Sequence, residues 1–422
     1  MKIIENSKVK EKVVIEKLQN GLTVIIVPKT GAKKKFMIWG TNYGSIDSSF
    51  VVPGEKETTT VPIGVAHFLE HKLFEQENGT NSLDVLTSIG VNANAYTTND
   101  YTAYLFECTD NFYEAMDELM DYVQNPYFTD ENVEKEKGII GQEISMYDDY
   151  PEWKVYLNAL SSMYHNNPVK LDIAGSIETI SHIDKEILYK CYNTFYHPSN
   201  MVMVIAGDFE PKDMIEEVKI RMKKVKESTK IKRIYEEEVD SVVKKKIEVK
   251  MDVSVPLFTI GIKDKVEESK NMIKKHIAIE ILLNILLGSS SKLYKNMYDE
   301  GILSSEPGIE YEFSKTYAHI LVSGQSKNPE EVEKKIKEEI IKIKEKGINK
   351  EDFNRIKKML YGTYIKEYDD VTNIAKMVIS DKMKGVDSFE SLEEIEGINL
   401  EYTQTILNTV FDFNKMVLSI VK

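Results

Sequence analysis

Apolar runs and turn residues divide the chain from its start. Residues 12–50 read as strands: VVIEKL, a turn at Gln19-Asn20-Gly21, LTVIIVP, then FMIWGTNYGSI after a basic loop containing Gly31. Residues 51–60, with Pro53, Gly54 and a run of threonines, predict a loop. Pro62 predicts the first turn of a helix continuing from Gly64, and a short helix over 80–89 stops at Gly90. Strands at 92–98 and 101–108 meet at Asn99-Asp100. Helical spacing covers 111–124, stops before Pro126 and resumes at Thr129, an N-cap followed by Asp130 and Glu131 where the helix dipole favours negative charge. Further helices to about 196, the strand MVMVIAGDF (201–209) and a helix over 211–225 complete the first half.

Residues 226–246 are dominated by Lys and Glu and predict a solvated linker. The order of elements then restarts: strands near 247–252 and 256–262, a helix over 270–287, a Gly-Ser loop, a helix holding Leu293 and Met297, strands near 306–313 and 317–324, three helical stretches, and the strand MVLSIV (416–421). The expected fold class is therefore α+β, as two homologous halves, each a mainly antiparallel sheet with helices packed on one face. The expected boundaries are 1–228, a charged linker over 229–246, and a second half over 247–422.

The balance of 42% apolar and 29% charged residues is that of a globular chain. A net charge of −14 disfavours nucleic acid as a partner. No run of 18 uncharged apolar residues occurs, so no membrane span is expected, and the opening MKIIENSKVKEKVVIEKL lacks a signal-like apolar core. Cys108 and Cys191 stand in separate segments, as in a reducing compartment, and a cytoplasmic location is expected. Cys108 ends an apolar run and reads as a core residue.

The stretch His67-Phe68-Leu69-Glu70-His71 adds chemistry. On a helix, offsets i, i+3 and i+4 share a face, so two imidazoles and a carboxylate point into one volume. That is the inverted H-x-x-E-H pattern of a zinc site with a base beside it, and such a site needs a third protein ligand. The helix from Thr129 offers candidates, because Val133, Ile140, Ile144 and Tyr147 form an apolar stripe with Glu136 inside it and Glu143 on its margin. Buried carboxylates need a partner, and metal ligation by one with hydrogen bonding by the other would supply it; pairing with Lys135 and Lys137 at the helix edge is the alternative. Gly138 and Gly141 suggest close approach of the metal helix. In the second half, His276 has no partner imidazole and reads as structural.

Together, HFLEH (67–71), EKGIIGQE (136–143), SIGVNANAYTTNDYTAY (88–104) and LGSSSKLYKNMYDEGIL (287–303) resemble the pitrilysin/insulysin family of zinc peptidases, which includes the mitochondrial processing peptidase. HFLEHKLFE, GIIGQEISMYDD and DIAGSIETI bring the chain closest to the bacterial YmfH-type branch. The resemblance implies one Zn2+ per chain held by His67, His71 and Glu143, with Glu70 as catalytic base and Glu136 supporting the site. It also implies a peptide substrate that adds as an extra strand beside Asn94 and Ala95. Family members that work alone, or that assist catalysis, carry an Arg and a Tyr in the second half. Here Tyr298 stands where the Arg would be and Ser304 near the Tyr. Tyr294 and Tyr298 are candidate substitutes in gripping substrate. The expected function is a zinc endopeptidase forming the metal-bearing subunit of a heterodimer, rather than a homodimer. Its partner would lack zinc ligands but supply the Arg/Tyr pair. The rivals are a non-proteolytic scaffold subunit of the same fold and a metal-dependent hydrolase of a non-peptide substrate.

Overall fold

The computed structural model describes residues 1–225, 230–387 and 389–422. Its first half holds strands β1 (Lys2–Asn6), β2 (Glu11–Lys17), β3 (Thr23–Pro28), β4 (Lys35–Thr41), β5 (Ser49–Val51), β6 (Thr58–Thr60), β7 (Asn92–Thr97), β8 (Thr102–Cys108) and β9 (Met201–Gly207). The helices of this half are α1 (Val65–Lys72), α2 (Ser82–Ser88), α3 (Phe112–Gln124), α4 (Asp130–Asp148), α5 (Pro151–Met163), α6 (Ile177–Ser181), α7 (Lys185–Phe195) and α8 (Pro211–Arg221). The linking segment holds β10 (Lys232–Arg233), and the second half holds β11 (Lys246–Val249), β12 (Leu257–Asp264), β13 (Gly308–Phe313), β14 (Ala318–Gln325) and β15 (Met416–Val421). Its helices are α9 (Ser269–Leu287), α10 (Lys292–Asp299), α11 (Pro329–Lys346), α12 (Lys350–Glu367), α13 (Val371–Lys384), α14 (Glu390–Gly397) and α15 (Leu400–Val410).

The large sheets have orders β1-β2-β3-β9-β4-β8-β7 and β11-β15-β12-β14-β13. In the first, β3 runs parallel to β9 and the other pairings are antiparallel; in the second, β11 runs parallel to β15 and the rest are antiparallel. The run β3-β9-β4-β8-β7 therefore matches β11-β15-β12-β14-β13 strand for strand and direction for direction. This is the α+β design in two similar, mainly antiparallel halves that the sequence predicts.

By contact the chain sorts into two compact units: Met1–Ile144, Asp172–Ile234 and Ile365–Ser388 in one; Ser145–Leu171, Tyr235–Tyr364 and Phe389–Lys422 in the other. Each unit thus takes a helix from the other half of the sequence. In the first unit, Val24, Ile26, Met37, Trp39, Tyr104, Phe106, Met203 and Ile205 face a helical layer bearing Phe68, Leu69, Met116, Leu119, Ile140 and Leu188. Fully burying one such side chain contributes about 1.5–3 kcal/mol. On the opposite face α13 packs on β4 and β9, over Gly40; a Cβ there would lie 2.9 Å from Ile379 Cδ1. In the second unit α5 packs on β12 and β15, over Gly261, where a Cβ would lie 2.7 Å from Met163 Sδ.

Several local expectations change. The loop expected over 51–60 holds at 52–57, but it joins the strands of a short hairpin, β5 and β6, to which β10 adds a third strand. The charged segment is accordingly not merely solvated: Arg233 pairs with Asp47 at 2.9 Å, and Glu238 takes backbone N–H donors from His165, Asn166 and Asn167. Residues 226–229, where the expected boundary at 228 and linker start at 229 fall, lie outside the described residues. Strand β1 was not predicted, because KIIEN is short and lacks alternation. The three helical stretches expected after 324 resolve into five helices, α11 to α15.

Candidate metal centre

Helix α1 starts at Val65, three residues after Pro62, so the proline precedes the helix rather than occupying its first turn. Gly64, at φ 101°, supplies the turn. A Cβ on Gly64 would lie 2.5 Å from Ala174 O, and one on Gly175 would lie 2.5 Å from Ile63 O, so two glycines let the 172–176 segment cross the helix entrance. Val65, Phe68, Leu69 and Lys72 form the buried stripe at i, i+3, i+4 and i+7. His67, Glu70 and His71 occupy the adjoining faces.

Helix α4 brings in the carboxylates. Thr129 caps it as predicted, accepting from Asn132 N–H at 3.1 Å. Val133, Glu136, Ile140 and Ile144 are buried, and Glu143 lies half-buried at the margin. Gly138 and Gly141 do not provide the expected close approach: apart from the backbone of their own helix, nothing among the described residues lies within 4 Å of where a Cβ would stand at either, and Gly138 is exposed.

Metal-ligating atoms of His67, His71 and Glu143 all lie within 4.8 Å of one another. His67 Nε2 is 3.8 Å from Glu143 Oε1, and His71 Nε2 is 3.6 Å from Glu143 Oε2. Both distances exceed hydrogen-bond length, and Glu143 has no hydrogen-bond partner among the described residues. His71 Nδ1 lies 3.1 Å from Glu136 Oε1, which leaves Nε2 as the nitrogen offered to the cluster. Two imidazole nitrogens and one carboxylate oxygen with a fourth position open suit a catalytic zinc ion, so the residues present fit that metal.

The surrounding charges explain the protonation preferences. Burial pushes the His67 imidazole down to about 3, with the neighbouring His71 adding to the effect. Burial raises the Glu70 carboxyl, opposed by a 2.6 Å hydrogen bond from Thr97 Oγ1. For Glu136, burial is outweighed by His71 and Lys72, and its carboxyl ends below the ordinary range. For His71, burial is outweighed by Glu136 and Glu70, and its imidazole ends above the ordinary range.

Among the described residues strand β7 is a free edge, paired only with β8, and it packs beside α1. Ala95 N–H is capped by Asn94 Oδ1 at 2.9 Å, so that amide faces the open edge, while Thr98 N–H turns inward to Tyr101 O. Asn94 thus contributes an exposed side chain to the edge, and Ala95 an outward-facing amide that this side chain covers. Tyr298 belongs to the other compact unit, on α10, where it is 52% exposed and its ring lies 6.0 Å from that of Tyr294.

Sequence reading missed two contributors. Lys72 is fully buried and pairs with Glu75 and with Glu136 (3.4 Å), locking the carboxylate that holds His71. Its signal was a lysine at the i+7 place of an apolar stripe. Thr97, which donates to Glu70, carried no signal beyond its place in a strand.

Comparison with known proteins agrees with the resemblance. Residues 54–176 match the model for insulinase (peptidase family M16), and residues 182–360 match the model for the peptidase M16 inactive domain. The chain is 37% identical over 411 residues to "Uncharacterized zinc protease YmfH" of Bacillus subtilis, covering 96% of both. A putative M16-like peptidase from Alicyclobacillus acidocaldarius superposes with a TM-score of 0.94 at 32% identity, covering 99% of each chain. A probable mitochondrial-processing peptidase subunit beta of Arabidopsis thaliana is 29% identical over 163 residues, 37% of this chain and 30% of that one.

Proposed function

This chain belongs to the insulinase family of peptidases, M16, and on that premise we propose that it is a zinc-dependent endopeptidase cleaving peptides or small unfolded proteins held as an added strand on β7. The observation that carries the reading is the convergence of His67, His71 and Glu143 beside buried Glu70, with a free edge strand adjoining them. His67, His71 and Glu143 would hold the zinc, and Glu136, fixed by Lys72, orients His71. When bound, zinc supplies Lewis-acid polarisation of the scissile carbonyl and lowers the pKa of the attacking water. Glu70 accepts a proton from that water and returns it to the leaving amine. The open backbone at Ala95 pairs with extended peptide once the Asn94 side chain releases the amide.

The chain acts, in this reading, as the metal-bearing subunit of a heterodimer whose homologous partner supplies an Arg/Tyr pair. Tyr298 where the family's Arg would be and Ser304 near its Tyr support it. The purified chain is expected to bind one zinc and to cleave unstructured peptides weakly until such a partner is added. Glu70→Gln should retain the zinc and lose about 10²–10⁴-fold in cleavage rate. Undiminished cleavage by this variant would remove the peptidase assignment, zinc-free protein would favour a scaffold, and full turnover by the single chain would remove the heterodimer.

A further inference from the structure

We propose that Thr97 is a positioning residue, whose hydroxyl fixes the Glu70 carboxylate from within the strand that receives the peptide and so ties the base to bound substrate. The proposal rests on reading Glu70 as the base. Glu70 is 8% exposed, and its one hydrogen bond among the described residues comes from Thr97 Oγ1 to Oε2 at 2.6 Å. A carboxylate on a short helix would otherwise rotate about its side-chain torsions. The contact selects one orientation and leaves Oε1 free to take a proton.

Thr97 is itself held. It pairs directly across β7 and β8 with Thr102, which is fully buried, and the two hydroxyl oxygens lie 3.3 Å apart. Thr102 Oγ1 also lies 3.0 Å from Tyr43 O, so its single proton serves either that carbonyl or Thr97, while the Thr97 proton goes to Glu70. The β-branched threonine has few χ1 choices, which adds stiffness that serine would lack.

Backbone alternation supplies the link to substrate. Ala95 N–H faces the open edge and Thr98 N–H faces inward, so the main chain of Thr97 faces outward with that of Ala95. A peptide added to β7 would hydrogen-bond the main chain of the residue whose side chain grips the base. Occupancy of the edge and placement of Glu70 are thereby coupled through one residue.

The test compares Thr97→Val, which keeps shape and removes the hydroxyl, with Thr97→Ser, which keeps the hydroxyl. In the zinc-loaded protein, supplied with its partner subunit if turnover requires one, Thr97→Val is expected to lower kcat about 10–100-fold with KM and zinc content unchanged. Thr97→Ser should restore most of that rate. A crystal structure of zinc-loaded Thr97→Val should show the Glu70 carboxylate displaced or disordered while His67, His71 and Glu143 keep their places. An unchanged kcat, a loss confined to KM or to zinc content, or a Glu70 carboxylate that has not moved would overturn the proposal. If valine prevents folding, Thr97→Ala read against Thr97→Ser makes the same comparison. Wild-type protein inert toward peptides would instead remove the peptidase reading, and the crystallographic arm would still decide whether Thr97 holds Glu70.

Discussion

Helices α1 and α9 occupy corresponding places in the two halves, after β4 and β12, yet satisfy their polar groups in opposite ways. On α9, His276 Nε2 faces Glu280 at 3.6 Å, and the Tyr364 hydroxyl donates to that same carboxylate. The His276 ring rests 5.8 Å from Tyr311 and 5.7 Å from Phe313. On α1, His67 and His71 face Glu143, a carboxylate that takes no hydrogen bond among the described residues. Among the described residues both His67 and His276 keep a buried Nδ1 without a partner and turn Nε2 toward a carboxylate, so the difference lies in that carboxylate, which has a hydroxyl donor on α9 and none on α1. The same scaffold position closes on itself in one half and is left needing an occupant in the other. A set of converging, half-buried acceptors is unfavourable unless something positive joins it, which is a physical reason to place a metal in the first half alone.

The sharpest way to break that contrast is to exchange its histidines for alanine. His71→Ala is expected to lower zinc affinity by at least about 100-fold, since disturbing even an outer partner of a ligand costs 10–100-fold. His276→Ala should leave zinc content at the wild-type level. Equilibrium dialysis with elemental analysis reads both, and equal losses from the two variants would show that the halves are not chemically distinct.

What the halves share can be tested at their glycines. Gly40 lies under α13 and Gly261 under α5, with Cβ positions 2.9 Å from Ile379 Cδ1 and 2.7 Å from Met163 Sδ. Gly40→Val and Gly261→Val should each lower unfolding stability by about 1–3 kcal/mol in urea denaturation. A loss in only one would mean that only one helix exchange is tightly packed. Gly138→Ala, with nothing near its Cβ, serves as the control; it should gain up to about 1 kcal/mol from helix propensity.

The sequence made the metal site more legible than the fold that carries it. H-x-x-E-H and the two candidate carboxylates, Glu136 and Glu143, on an apolar stripe are local information readable from helical spacing, the choice of Glu143 as ligand is what the family resemblance implies, and the duplication showed as a restarted order of elements. The exchange of α5 and α13 depends on contacts between residues far apart in sequence, and no local pattern records those. Lys72 and Thr97 escaped for a related reason: each is defined by the carboxylate it meets across space, Glu136 and Glu70. The charged segment misled because composition reports average exposure, whereas Arg233 and Glu238 each find a specific partner.

Glu238 extends the contrast to its limit, as a carboxylate whose needs the chain meets completely. It accepts N–H from His165 (2.9 Å), Asn166 (2.8 Å) and Asn167 (2.6 Å), and Lys263 Nζ lies 2.6 Å away. Burial works against the anion, but Lys263 and the three amides outweigh it and hold the carboxyl down to about 2. A folded-state value below the ordinary 4.5 means that the stabilisation is present above pH 4.5 and is lost as pH falls toward 2. Glu238→Gln should therefore lower stability by about 1–2 kcal/mol at neutral pH, after allowance for solvent screening. The gap from wild type should close as pH drops through that window. Urea midpoints measured across the range decide it: a gap that stays constant with pH would mean that glutamine disturbs packing, and that the charge of Glu238 is not what fastens this segment.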